Sequence, residues 1–171
     1  MKANFWSSAA ANGLMLSLIT IVYTLFMAAF PMESRAVGFM IGLVKLVATI
    51  GVLYYFMKGY GQEQETYSYG NAFGYGFAVS FFSNIVIACY LLVHYVYLFP
   101  DAIENSLKAV QQAVTQYTVD QATLDLINKN LPLIVSISPF LVYTLLALII
   151  AAILAGFAKK AEPVFADENE E

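Results

Sequence analysis

The residue most out of place in this chain is a lysine. Lys45 is the tenth residue of a run, Ala36 to Met57, that holds no other charge. Read as a helix, the run carries Lys45 about 14 Å from its start at a rise of about 1.5 Å per residue, near the centre of a bilayer. A lysine at that depth costs about 2.5 to 3.5 kcal/mol on insertion scales, so such a residue faces a bundle interior or a wet cavity and has a partner. Its side chain leans toward the N-terminus of its own helix. In that direction lie Tyr90 and His94 of one later apolar run and Ser136, Ser138 and Pro139 of another. Pro139 cannot donate to the carbonyl of Val135, which frees that carbonyl as an acceptor. The expectation is an intramembrane polar cluster of Lys45, Tyr90, His94, Ser136, Ser138 and Pro139. The plainer alternative has Lys45 snorkelling alone and His94 sitting at the interface.

Enzymatic chemistry finds little to work with. His94 is the only histidine, whereas a helical zinc protease needs two on one turn. There is no G-x-S-x-G, no phosphate-cradling glycine loop, no paired intramembrane carboxylate and no set of side chains at metal-ligand spacing. The reading is of a protein that is not an enzyme, with no catalytic, cofactor-binding or metal-ligating residue. Cys89 is the one cysteine and cannot form an internal disulfide. No basic patch interleaved with aromatics suggests nucleic acid.

Composition dictates the elements that must position these residues. Of 171 residues 60% are hydrophobic and only 12% charged, against a charged share of about 25% in ordinary soluble domains. Apolar runs over 8–30, 36–57, 72–99 and 131–158 contain no acid and, beside His94, no base but Lys45. Each exceeds the roughly 20 residues that a helix needs to cross about 30 Å of hydrocarbon. Strands of an outer-membrane barrel would be shorter and would alternate apolar with polar. In lipid every backbone N–H and C=O must be paired within the segment, so each run is a helix. The first run is longer than a signal-peptide core and no A-x-A pattern follows it before Pro31, so it is expected to remain in the protein. The fold class expected is an all-α integral membrane bundle of four transmembrane helices, residues 1–160, whose first partner is the lipid bilayer.

Four spans put both termini and the middle loop on one side. That side holds Lys2, Lys58, Lys159 and Lys160 beside helix ends, and the other holds Arg35, Lys108 and Lys129. Positive-inside counting therefore favours cytoplasmic termini. Phe5, Trp6, Tyr54, Tyr55, Tyr60, Tyr67 and Tyr69 at the inner ends, and Tyr95, Tyr97 and Phe99 at the outer, read as interfacial belts. Between helices three and four, over 101–130, Ile103, Leu107, Val110, Val114 and Tyr117 recur at helical spacing. Thr118 and Gln121 resemble a capping box, followed by Leu124, Ile127 and Leu131 on one face. This predicts an amphipathic helical hairpin outside the membrane, with Pro132 in the first turn of helix four and Pro139 kinking it. Five of the last ten residues are acidic, so 161–171 is expected to be a solvated, disordered tail.

Glycines at G-x-x-x-G spacing, Gly38 with Gly42 and Gly70 with Gly74, are candidates for close helix packing, within one chain or between copies.

The order of these features resembles a known family. Asn4, Phe5, Trp6 and Gly13 open helix one; Lys58, Gly59 and Tyr60 close helix two; Ser68 to Phe73, Gly76 and Phe77 open helix three; Pro100 and Asp101 precede the polar hairpin, and Lys159 and Lys160 end the last span. Over nearly the full chain this is similar to a Bacteroidota family of small four-helix membrane proteins of unknown function, domain of unknown function 4199. Where the family often carries a basic residue after the tyrosine closing helix two, this chain has Gly61. The resemblance implies a multi-pass protein of the bacterial cytoplasmic membrane and brings no cofactor or catalytic residue with it. The functional expectation is a non-enzymatic structural or accessory component that binds a membrane-protein partner. The alternative is a homo-oligomeric transporter or channel subunit using the polar cluster around Lys45, with Asn84 at mid-membrane and the proline break of helix four.

Overall fold

Helix α1, Phe5–Ala29, begins where Asn4 caps it, its side chain accepting the amide of Trp6 at 3.3 Å. Helix α2 is Arg35–Gln62 and α3 is Tyr69–Val93; Ser68 caps α3 by accepting from the amide of Asn71. A π-helical turn, His94–Leu98, continues α3, and α4 is Gln121–Ala158. These caps satisfy amides that a helix start leaves unpaired. They also give a local reason for Asn4 and Ser68 standing where they do. The computed structural model describes residues 4–30, 34–101 and 121–160.

Among the described residues four helices are long and apolar enough to cross a membrane: Phe5–Ala29, Arg35–Gln62, Tyr69–Leu98 and Ile137–Ala158. No strand occurs among them. The protein is an all-α bundle of four membrane-spanning helices, as the apolar runs predict. Helices α1, α2 and α3 begin one to three residues before those runs, α1 and α3 at the side-chain caps Asn4 and Ser68, and α2 continues five residues past its own. The first helix expected in the outer hairpin, and the acidic tail, lie outside the described residues. The segment expected to form the hairpin's second helix is not separate: Gln121 to Ala158 is one helix passing through Pro132 and Pro139. A membrane helix tolerates proline because neighbouring groups and small backbone adjustments satisfy the freed carbonyl.

Helix α3 is the central element, with 44% of its most apolar window buried, against 22% for α1 and α4 and 6% for α2. Lipid tails are as apolar as the helices, so helix association relies on close packing and interhelical hydrogen bonds. The sequence provides for both. On α1 the buried residues Ala9, Gly13, Leu16, Ser17 and Thr20 form one stripe of three- and four-residue steps. On α4 the buried residues, among the side chains described, are the alanines 147, 151, 155 and 158. A β-carbon at Gly13 would stand 2.7 Å from Phe82 Cβ and 2.7 Å from the Val79 carbonyl oxygen, and one at Gly76 would stand 2.7 Å from Met57 Sδ. Helix α1 therefore meets α3 at a distance that only glycine allows, whereas at Gly76 it is the flexible end of Met57 that fills the space.

Helix α2 is seated at one end. Its buried residues, Leu53, Met57 and Gly61, all lie in its last third, while Val37, Phe39, Met40, Val44 and Val47 are exposed. The glycine pairs picked out by spacing are not the close contacts within this chain. A β-carbon at Gly38 or Gly42 would make ordinary contact with Met27 or Tyr23, and at Gly70 or Gly74 it would meet nothing within 4 Å. Spacing identifies a helix face, whereas the neighbour opposite that face is decided by the rotation of the whole helix.

Candidate functional site

Lys45 points into the bundle, not out of it. All four helices converge on a cavity of about 130 Å³, whose lining includes Thr20 of α1, Lys45 and Thr49 of α2, Ser80, Ser83 and Asn84 of α3, and Tyr143 of α4. Lysine Nζ lies 5.1 Å from the centroid of the Tyr143 ring and 5.5 Å from that of Tyr23. Both distances fall within the roughly 6 Å over which a ring's negative face attracts a cation. These rings come from α4 and α1, so the one ammonium group links α2 to the two helices flanking α3.

The polar cluster expected around Lys45 is only partly assembled. Tyr90 and His94 do pair, hydroxyl to Nδ1 at 3.0 Å, with His94 buried beside Phe99 at the π-helical turn. They do not line the Lys45 cavity; Asn84 does, and His94 is ten residues further along, about 15 Å by helical rise. Ser138 and Pro139 lie about one turn before Tyr143 on α4, and neither lines the cavity. The side chain of Ser136 lies outside those described. Lys45 thus meets aromatic faces in place of the imidazole, because Tyr23 and Tyr143 stand at its own depth.

Most of the remaining interior polar groups are engaged within the fold. The hydroxyls of Ser17, Thr24, Thr49 and Ser80 donate to the carbonyls of Leu14, Thr20, Lys45 and Gly76, three or four residues back on their own helices. Asn84 Nδ2 donates to Thr144 Oγ1 at 3.3 Å, tying α3 to α4. Thr20 and Ser83 face the Lys45 cavity.

A second polar site closes the end of the bundle where α1 starts and α4 stops. The Tyr75 hydroxyl accepts from Asn12 Nδ2 at 2.8 Å and pairs with Ser8 Oγ at 2.7 Å. Its ring stacks on Tyr60, with Phe5 edge-on to both. Tyr67, in the connection between α2 and α3, is 1% exposed and lies against Gly61, where a β-carbon would come within 2.5 Å of its ring. Burial, then the neighbouring phenols of Tyr75 and Tyr60, push the Tyr67 phenol well above its ordinary range. Its hydroxyl has no hydrogen-bond partner among the described residues. Lys160 straps the far end of the chain onto this connection: its amide donates to the Tyr67 carbonyl at 3.0 Å and its Nζ to the carbonyls of Gln64 and Gln62 at 2.7 and 3.3 Å.

This corrects part of the expected aromatic belt. Trp6, Tyr55, Tyr69 and Tyr97 are exposed as interfacial residues should be, but Tyr67 belongs to the core and Phe5, Tyr54 and Tyr60 pack half-buried against it. Tyr143, Tyr23 and Tyr75 escaped sequence reasoning, since one tyrosine inside an apolar run looks like any other. The one available signal was Asn12, a second strongly polar side chain in a span, which needs a partner at its own depth.

No curated protein and no solved structure matches the chain. A family model, described as a protein of unknown function, matches residues 11–160, which takes in most of α1, the other three spans, and both sites except Phe5 and Ser8. The chain therefore belongs to the DUF4199 family.

Proposed function

We propose that this protein is a non-enzymatic component of the bacterial cytoplasmic membrane, an accessory bundle that acts by associating with another membrane protein. The observation that carries this reading is the use made of the interior hydroxyls. Four of them donate to backbone carbonyls of their own helices, and the Asn84 and Asn12 bonds link neighbouring helices. The two asparagine bonds serve as packing glue between helices, and a hydroxyl spent on a carbonyl is not poised as a nucleophile beside a base. The first half of α2 exposes one face, Val37, Phe39, Met40, Val44 and Val47, and offers it as the surface on which a partner would seat. The count of lysines beside helix ends supports cytoplasmic termini.

A photoreactive phenylalanine at Val44, which is 67% exposed, tests this in native membranes. A discrete protein adduct is expected. Adducts with lipid alone would count against the reading.

A second reading, a homo-oligomeric transporter or channel subunit, is favoured by one specific observation: the Lys45 cavity at the meeting point of all four helices. Intramembrane cations beside such cavities mark transport paths. This reading expects several copies per particle, because four helices enclose too narrow a space to serve alone.

A further inference from the structure

We propose that the cavity beneath Lys45 binds the carboxylate of a single-chain amphiphile, a long-chain fatty acid entering sideways from the bilayer. The charge argument comes first. Lys45 Nζ rests against the faces of Tyr143 and Tyr23, which attract a cation without neutralising it. No carboxylate lines the cavity, and the four apolar runs contain none. A cation in a low-dielectric interior is costly until an anion pairs with it, so the site has chemical complementarity for a monoanion. The hydroxyls of Thr20 and Ser83 face the same space, and among the described residues they donate to no protein acceptor. They are positioned to share a bound carboxylate with the ammonium group.

Size and access narrow the ligand further. A cavity of about 130 Å³ is close to the roughly 150 Å³ engineered cavity that takes benzene, enough for a carboxyl group and a few methylenes. It is too small for the glycerophosphate head of a phospholipid. Leu46 of α2 and Leu146 of α4 line the cavity and are also 45% and 47% exposed on the lipid-facing surface. The cavity therefore has an apolar mouth between α2 and α4, through which a hydrocarbon chain can run out into the membrane. A water-borne anion gains nothing from such a mouth, and a fatty acid does. The site stands apart from the question of what the bundle assembles with, and its failure would leave the partner reading untouched.

The test uses the purified full chain in nanodiscs of a neutral phospholipid, with palmitate carrying a diazirine and an alkyne as the probe. Crosslinks are expected on α2 and α4 around Leu46 and Leu146. Unlabelled palmitate should compete at concentrations where hexadecanol and acetate do not. Lys45→Met should weaken labelling by about tenfold to a hundredfold, the worth of a hydrogen bond to a charged group, and Lys45→Arg should retain it. Equal competition by hexadecanol, equal competition by acetate, or wild-type labelling of Lys45→Met would each overturn the proposal. Should Lys45→Met fail to fold, the discrimination between acid and alcohol by the unaltered protein decides alone.

Discussion

The ring of Tyr75 lies flat against that of Tyr60, with centroids 3.9 Å apart and planes 7° from parallel. Through this stack the middle of the sequence binds its own beginning, because the Tyr75 hydroxyl is held by Ser8 and Asn12 of α1 while its ring covers α2. Three helices are thus tied at one aromatic side chain. Tyr75→Phe keeps the stack and removes the bonds, leaving Ser8 and Asn12 partly buried without their partner. Thermal unfolding in detergent should register a loss of about 1 to 3 kcal/mol, and a variant as stable as wild type would show that these bonds do not hold α1 in place.

Glycine substitutions separate close packing from mere spacing. Gly13→Ala places a methyl group 2.7 Å from Phe82 Cβ and a backbone oxygen, neither of which is the free end of a side chain, so the helices must part. The expected cost is about 1 to 3 kcal/mol or more. Gly74→Ala meets nothing within 4 Å and should leave stability unchanged or raise it by up to about 1 kcal/mol through helix propensity. Paired unfolding curves check both, and a reversed order would contradict the packing described.

Asn84 and Thr144 are expected to be coupled across α3 and α4. A double-mutant cycle with Asn84→Leu and Thr144→Val should return about 0.6 to 2 kcal/mol, the range found for hydrogen bonds between membrane helices. A coupling of zero would reduce the 3.3 Å contact to coincidence.

The architecture was legible in the sequence and the site was only half so. Four apolar runs impose four helices because lipid leaves the backbone no other solution, and Lys45 identified itself by its cost. Its neighbours did not. Whether α3 presents Asn84 or His94 to Lys45 depends on how far α2 slides along α3, which is set by Met57 meeting Gly76 and Tyr67 covering Gly61. Tyr60 and Tyr67 near helix ends look identical to belt residues until the fold encloses them. Nor does periodicity separate the segment after Gln121 from the span it continues, since Pro132 resembles a first-turn residue while lying inside α4.

Stability should fall in alkaline solution through Tyr67. Its phenol ionises at higher pH in the folded protein than in the unfolded chain, because it is buried beside two other phenols. Its contribution is fully present below the unfolded pKa of about 10 and is lost as pH rises from there toward the folded value. Tyr67→Phe should flatten this decline. It should also be neutral or stabilising at neutral pH, because the hydroxyl it removes is buried without a partner among the described residues. Unfolding midpoints between about pH 8 and pH 11 check both; a Tyr67→Phe variant that loses more than about 1 kcal/mol at neutral pH would mean that the hydroxyl is bonded.

The central claim is that this bundle works by associating with a different membrane protein, and native mass measurement tests it most directly. The tagged protein, extracted from its own membranes in a gentle detergent, should travel with a second polypeptide at fixed stoichiometry. A particle containing only this chain, as one copy or as a closed ring, would contradict the claim, and a ring would bring the transporter reading forward.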